Sequence, residues 1–161
     1  MFDRSIALLV FLTGCQQTSE NRAVERIEIR ESGWESLDVT LANTGQGSFE
    51  RTGLAPSPVT GKFEIRPDAF NSLVKRLSEF RQQAVPRTET SIIEMGERRC
   101  PDGVPFATDN GAIYVRWVGK GFDEHFLADL GCDGDRMRDR NTRLFEIVQS
   151  LPIPSQKRDG S

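Results

Sequence analysis

The sequence is poor in the residues that most site chemistry needs. Its 161 residues include one histidine, three cysteines and one tyrosine. A Ser-His-Asp or Cys-His arrangement requires a histidine base, so any such site has to be built on His125. No Gly-x-Ser-x-Gly elbow accompanies that histidine. Two cysteines and one histidine are too few ligands for a closed zinc site, once Cys15 is set aside for reasons given below. Asp129, Asp133 and Asp135 lie close together but lack the alternating ligands, central glycine and terminal glutamate of an EF-hand loop. No metal and no cofactor is therefore expected. The formal net charge is −3, which offers no global field to attract nucleic acid. The apolar run Ile6 to Leu12 falls far short of the ~18 residues a membrane-crossing helix needs.

That short run has the length of a signal-peptide core, and it leads into Leu12-Thr13-Gly14-Cys15. The tetrad resembles the lipobox of bacterial lipoproteins: an aliphatic residue, two small residues beside the cleaved bond, then the cysteine that is acylated. One departure lies upstream, where Asp3 offsets the positive charge of Arg4. The resemblance implies that residues 1–14 are a signal peptide and that Cys15 is the first mature residue, held in the membrane by lipid. Two or more acyl chains make such an anchor stable. In enterobacterial members an aspartate after the cysteine retains the protein in the inner membrane. Gln16 stands there, so the implied address is the outer membrane, facing the periplasm. The other reading, a buried terminal element with a core cysteine, has to contend with Gln16 to Ala23, which is too polar to continue one. Residues 15–23 read instead as the acylated cysteine and a tether reaching about 26 Å at ~3.3 Å per residue.

An extracytoplasmic address gives the two remaining cysteines a first reading as a disulfide, Cys100 to Cys132. Closing a loop of about 33 residues stabilises a fold by roughly 3.7 kcal/mol in the chain-entropy model. A thiol or metal site is the competing use of the pair.

Residues 24–151 read as a single α+β domain. Alternation marks Val24 to Arg30 and Leu37 to Leu41 as half-buried strands, and Asn43 to Gly47 as a turn into Ser48 to Arg51. Gly53 to Pro58 is a loop, and Lys62 to Arg66 a further strand. Pro67-Asp68 opens a helix to Gln83, whose stripe is Phe70, Leu73, Val74, Leu77 and Phe80, with Lys75, Arg76, Glu79 and Arg81 facing water. Thr90 to Met95 reads as a strand, and Arg98 to Gly111 as a long loop. A second hairpin joins Ile113 to Val118 with His125 to Leu130, placing His125 opposite Phe126, Ala128 and Leu130. A last helix, Asp135 to Leu151, buries Met137, Leu144, Val148 and Leu151, widened by Phe145. Residues 152–161 form a flexible tail. The expected fold is one antiparallel sheet of about 5–7 strands with two helices packed on one face.

The strand Gly61 to Ile65 leading into Phe70, Leu73 and Leu77, and the Gly131-Cys132 step after the second hairpin, are similar to a small bacterial domain of unknown function found in secreted proteins and lipoproteins. That resemblance implies packing and no catalytic residues. Two functional expectations follow. The first is a non-catalytic, membrane-anchored interaction or envelope-maintenance domain, held through Cys15 and meeting an envelope protein or ligand with its sheet face or the Arg98 to Gly111 loop. Arg98, Arg99, Arg136, Arg140 and Arg143 are its candidate interaction surface, unless they form a merely solvated face neutralised by Asp133, Asp135 and Asp139. The second is a small periplasmic hydrolase or metal-assisted enzyme centred on His125 and the acids up to Asp135. Against it stands a solvated or cross-strand-paired histidine, with acids serving turns and caps.

Overall fold

The computed structural model describes residues 22–53, 57–97 and 100–154. The lipobox with Cys15 and Gln16, the two arginines Arg98 and Arg99, and the tail from residue 155 lie outside the described residues.

Alternating apolar residues build the sheet. β1 (Val24–Ser32) pairs with β2 (Ser36–Ala42) on one side and with β6 (Ala112–Gly119) on the other, so Ile29 lies between Val39 and Val115. β3 (Gln46–Thr52) and β4 (Val59–Glu64) extend one flank. β7 (Phe122–Asp129) and the two-residue β5 (Val85–Pro86) extend the other. The strand order is β4-β3-β2-β1-β6-β7-β5, with every pairing antiparallel. One face gathers Ile27, Ile29, Leu37, Val39, Leu41, Ile113, Val115, Trp117, Phe126 and Ala128 into a continuous apolar core.

Two helical units cover that face, as the sequence predicts. The first is interrupted at Leu77, giving α1 (Pro67–Arg76) and α2 (Ser78–Arg81), and it buries Phe70, Leu73, Leu77 and Phe80. The second, α4 (Arg138–Gln149), buries Leu144, Ile147 and Val148. It starts later than expected, because Asp133 takes a left-handed φ of 52° and Asp135 pairs with Arg138 outside the helix. Phe145 faces solvent and Ile147 takes its place in the core. Beyond the helix, Ile153 still packs against the core.

The main correction concerns Thr90 to Met95, which is no strand. It belongs to α3 (Glu89–Glu97). Thr88 Oγ1 accepts from the Ser91 amide at 3.0 Å while Ser91 Oγ accepts from the Thr88 amide at 2.8 Å. This reciprocal cap satisfies two amides that the first turn of a helix leaves free, and it outweighs the strand propensity of Thr90, Ile92 and Ile93. α3 lies on the face opposite the core, where Ser91 meets His125 on β7.

Candidate functional site: a cleft on the polar sheet face

On the face turned away from the core, register sets polar side chains in rows. Thr40, Glu28, Arg116 and His125 stand side by side across β2, β1, β6 and β7. The next row runs Glu50, Asp38, Arg30 and Tyr114. With α3 and Arg87 as one wall, these rows floor a cleft of about 750 Å3.

Arg116 organises its centre. Its Nε and Nη2 donate to the two carboxylate oxygens of Asp123 at 2.7 and 2.6 Å, and its Nη1 donates to Glu28 at 2.9 Å. Glu28 also accepts from Arg26 at 2.9 Å, and Arg30 pairs with Asp38. The Asp123 bonds hold Arg116 above the ordinary range of its group, against the pull of burial, with Glu28 helping. The same bonds hold the Asp123 carboxyl below its usual value, and burial opposes them. A planar guanidinium between two carboxylates is a rigid fork, and its pairs are strong hydrogen bonds.

His125 is fully buried. Its Nε2 lies 2.8 Å from Ser91 Oγ, and its Nδ1 lies 3.3 Å from the Tyr114 hydroxyl. Burial is the first cause that lowers its pKa; the cations Arg87 and Arg116 add to this and Asp123 opposes it. A neutral imidazole has one donor and one acceptor nitrogen, and both have a hydroxyl partner here. The histidine thus fastens α3 to the sheet. The expectation of a solvated histidine is corrected by the helix that covers it, whereas its cross-strand pairing, with Tyr114, is present.

The structure does not bring the sequence-predicted acids to His125. Asp129 Oδ1 accepts the amides of Gly131 and Cys132 at 2.8 and 3.2 Å, closing the turn after β7. Asp133 lies 3.7 Å from Arg136, and Asp135 pairs with Arg138 at 2.5 Å. Asp129 and Asp133 line a second groove beside Cys132, while His125 lines the sheet-face cleft. A hydrolytic centre composed of His125, Asp133 and Asp135 is not assembled.

The arginines also part company. Arg136 and Arg140 line the groove beside the disulfide. Arg143 turns the other way and holds Glu79 of α2 through two bonds of 2.9 and 3.1 Å. The expected disulfide is present: Cys100 and Cys132 are joined, with Cα atoms 5.4 Å apart.

The core side of the sheet also holds a charged group. Glu124 and Arg81 are both buried, on the core side of β7, and are bonded at 3.1 Å; Arg22 pairs with the same carboxylate. Arg22 and Arg81 also lie 4.7 and 4.6 Å from the centre of the Phe122 ring. Strand alternation puts Glu124 in phase with Phe122 and Phe126, which is the signal that identifies it as an inward-facing acid in need of a cation. Helical periodicity places Arg81 in water, but Glu124 draws it inward.

Among the described residues, no group of three or more His, Cys, Asp or Glu side chains is placed to hold a metal ion. Among them, no helix is long and apolar enough to cross a membrane. No protein-family model matches the chain, and a search of curated proteins finds no match to it.

Proposed function

We propose that the protein is a bacterial lipoprotein, anchored through acylated Cys15 in the outer membrane and facing the periplasm, whose domain works by binding an envelope protein or ligand and not by catalysis. The observation that carries the reading is the Cys100–Cys132 disulfide. The chain has three cysteines, and this bond accounts for two of them, leaving Cys15 in the tetrad that resembles a lipobox. A disulfide also fits an oxidising compartment. Binding on the sheet face is supported by the cleft itself. The charges at its centre are held in mutual pairs, Arg116 with Glu28 and Asp123 and Arg30 with Asp38, and both nitrogens of His125 are engaged by hydroxyl groups. Such a surface is preorganised, so little side-chain ordering opposes association.

The test is a pull-down of the acylated protein from its own envelope, beside a Thr40→Glu variant. Thr40 is exposed on the cleft floor, where an added carboxylate changes the surface. A partner recovered with the native chain and lost with the variant supports the reading. A partner recovered equally with both overturns the assignment to this face.

A further inference from the structure

The groove beside the disulfide carries an inference that the sheet-face cleft does not supply. The loop after Cys100 is stitched to the end of β7: Ala107 N donates to Gly131 O at 3.0 Å, Asp133 N donates to Pro105 O at 2.9 Å, and Phe106 bridges Cys132. The approach is so close that a Cβ on Gly131 would stand 2.0 Å from Ala107 O. This stitching holds Phe106 with 54% of its surface exposed. Val104, Leu127 and Met137 join it in a groove of about 610 Å3, within the ~300–1,000 Å3 typical of small-molecule sites.

At the edge of this apolar space sits Arg140. Among the described residues its donors go to neutral acceptors, Asn141 Oδ1 at 2.9 and 2.7 Å and Asp129 O at 2.9 Å. Burial pushes Arg140 below its ordinary range, and only the charge of Asp129 opposes this. Asp129 Oδ1 is itself engaged by the Gly131 and Cys132 amides. Arg136 stands on the same groove, largely exposed and 3.7 Å from Asp133. A half-buried cation with no contacting carboxylate among the described residues, beside a preformed apolar wall, favours a ligand that joins an anion to a hydrocarbon tail.

We propose that this groove binds a single-chain amphiphile with an anionic head, the tail lying against Phe106, Val104 and Leu127 and the head meeting Arg140 and Arg136. The proposal goes beyond the binding role suggested for the sheet face and does not depend on the lipid anchor. A free fatty acid and a lysophospholipid share this chemistry.

Calorimetric titration of the full chain carrying Cys15→Ser tests the groove without acyl groups or detergent. The titrants are laurate and lysophosphatidylglycerol below their micelle concentrations, with dodecylamine and inorganic phosphate as comparisons. Laurate or the lysophospholipid is expected to bind saturably and at least about tenfold more tightly than either comparison, the tighter of the two naming the source. Phe106→Glu and Arg136→Glu change exposed side chains, and a native urea midpoint checks that each is folded; each is expected to weaken binding by about tenfold or more. Arg140→Met is expected to do the same, and its urea midpoint separates lost binding from lost folding. Equal binding of dodecylamine, equal binding of phosphate, or native affinity in both exposed variants would overturn the proposal. Because Cys15 is absent from this protein, a failure here leaves the anchor untouched, and a failure of the anchor leaves the titration unchanged.

Discussion

Replacing Glu124 by alanine removes the carboxylate that the Arg22 and Arg81 guanidinium groups share. Arg81 is 4% exposed and Glu124 6% exposed, so neither ion has water to fall back on. After the substitution Arg81 keeps the Arg22 carbonyl at 3.2 Å and the face of Phe122. A ring under a cation returns ~0.5–2 kcal/mol. Stranding one partner of a buried pair costs about 3–5 kcal/mol. Net of that return the cost is about 1–4.5 kcal/mol, so at a urea dependence of ~1.5 kcal/mol per molar the unfolding midpoint falls by about 0.7–3 M. The double variant Glu124→Met with Arg81→Met separates the cost of a stranded charge from the worth of the pair. It removes both buried ions and leaves apolar side chains of similar reach, so its stability returns to within about 1 kcal/mol of native or exceeds it. Urea unfolding followed by far-ultraviolet circular dichroism measures all three proteins. A Glu124→Ala midpoint indistinguishable from native, or a double variant weaker than the single one, refutes the account of this network.

Two further outcomes are expected. Burial holds the His125 pKa in the folded state below its ordinary 6.5, so the unfolded chain binds a proton more readily than the folded one. Stability from this group is complete above 6.5 and is lost as pH falls from there toward the folded value. The urea midpoint of the native chain should therefore fall more between about pH 7.5 and about pH 5.5 than that of His125→Gln; equal falls refute the assignment. Gly111 and Gly103 both have positive φ, 70° and 80°, but a Cβ at Gly111 would stand 1.7 Å from Ser32 O while none at Gly103 meets an atom within 4 Å. Gly103→Ala should cost only the ~1–2 kcal/mol of a left-handed residue and Gly111→Ala clearly more. Equal midpoints for the two would show that the turn before β6 yields to the new side chain.

The legible parts of this fold are those where periodicity and burial coincide. Ile27 and Ile29, Val39 and Leu41, and Val115 and Trp117 alternate because one sheet face is the core, and their order in sequence already implies antiparallel hairpins. Phe70, Leu73, Leu77 and Phe80 announce the first helix in the same way. α3 was hidden because Thr90, Ile92 and Ile93 favour strands locally, while what makes the segment helical is the Thr88–Ser91 cap and its docking on His125. The alternation of β7 put His125 on the correct face, but only a second layer over that face converts it from a solvated residue into a buried one. The same holds for the site. The acids after Asp129 are adjacent in sequence, yet each is taken by its own turn or by a neighbouring arginine. The Arg116 fork, by contrast, draws on Glu28, 88 residues away, which no local pattern reveals.

The central claim is that Cys15 carries lipid and fixes where the domain acts. Its most direct test is the intact mass of the protein from its native envelope, with and without globomycin, which blocks lipoprotein signal peptidase. Without the drug, the chain should begin at an acylated Cys15; with it, a heavier form retaining residues 1–14 should accumulate. A chain that begins elsewhere, or that has the same mass with and without the drug, would contradict the account.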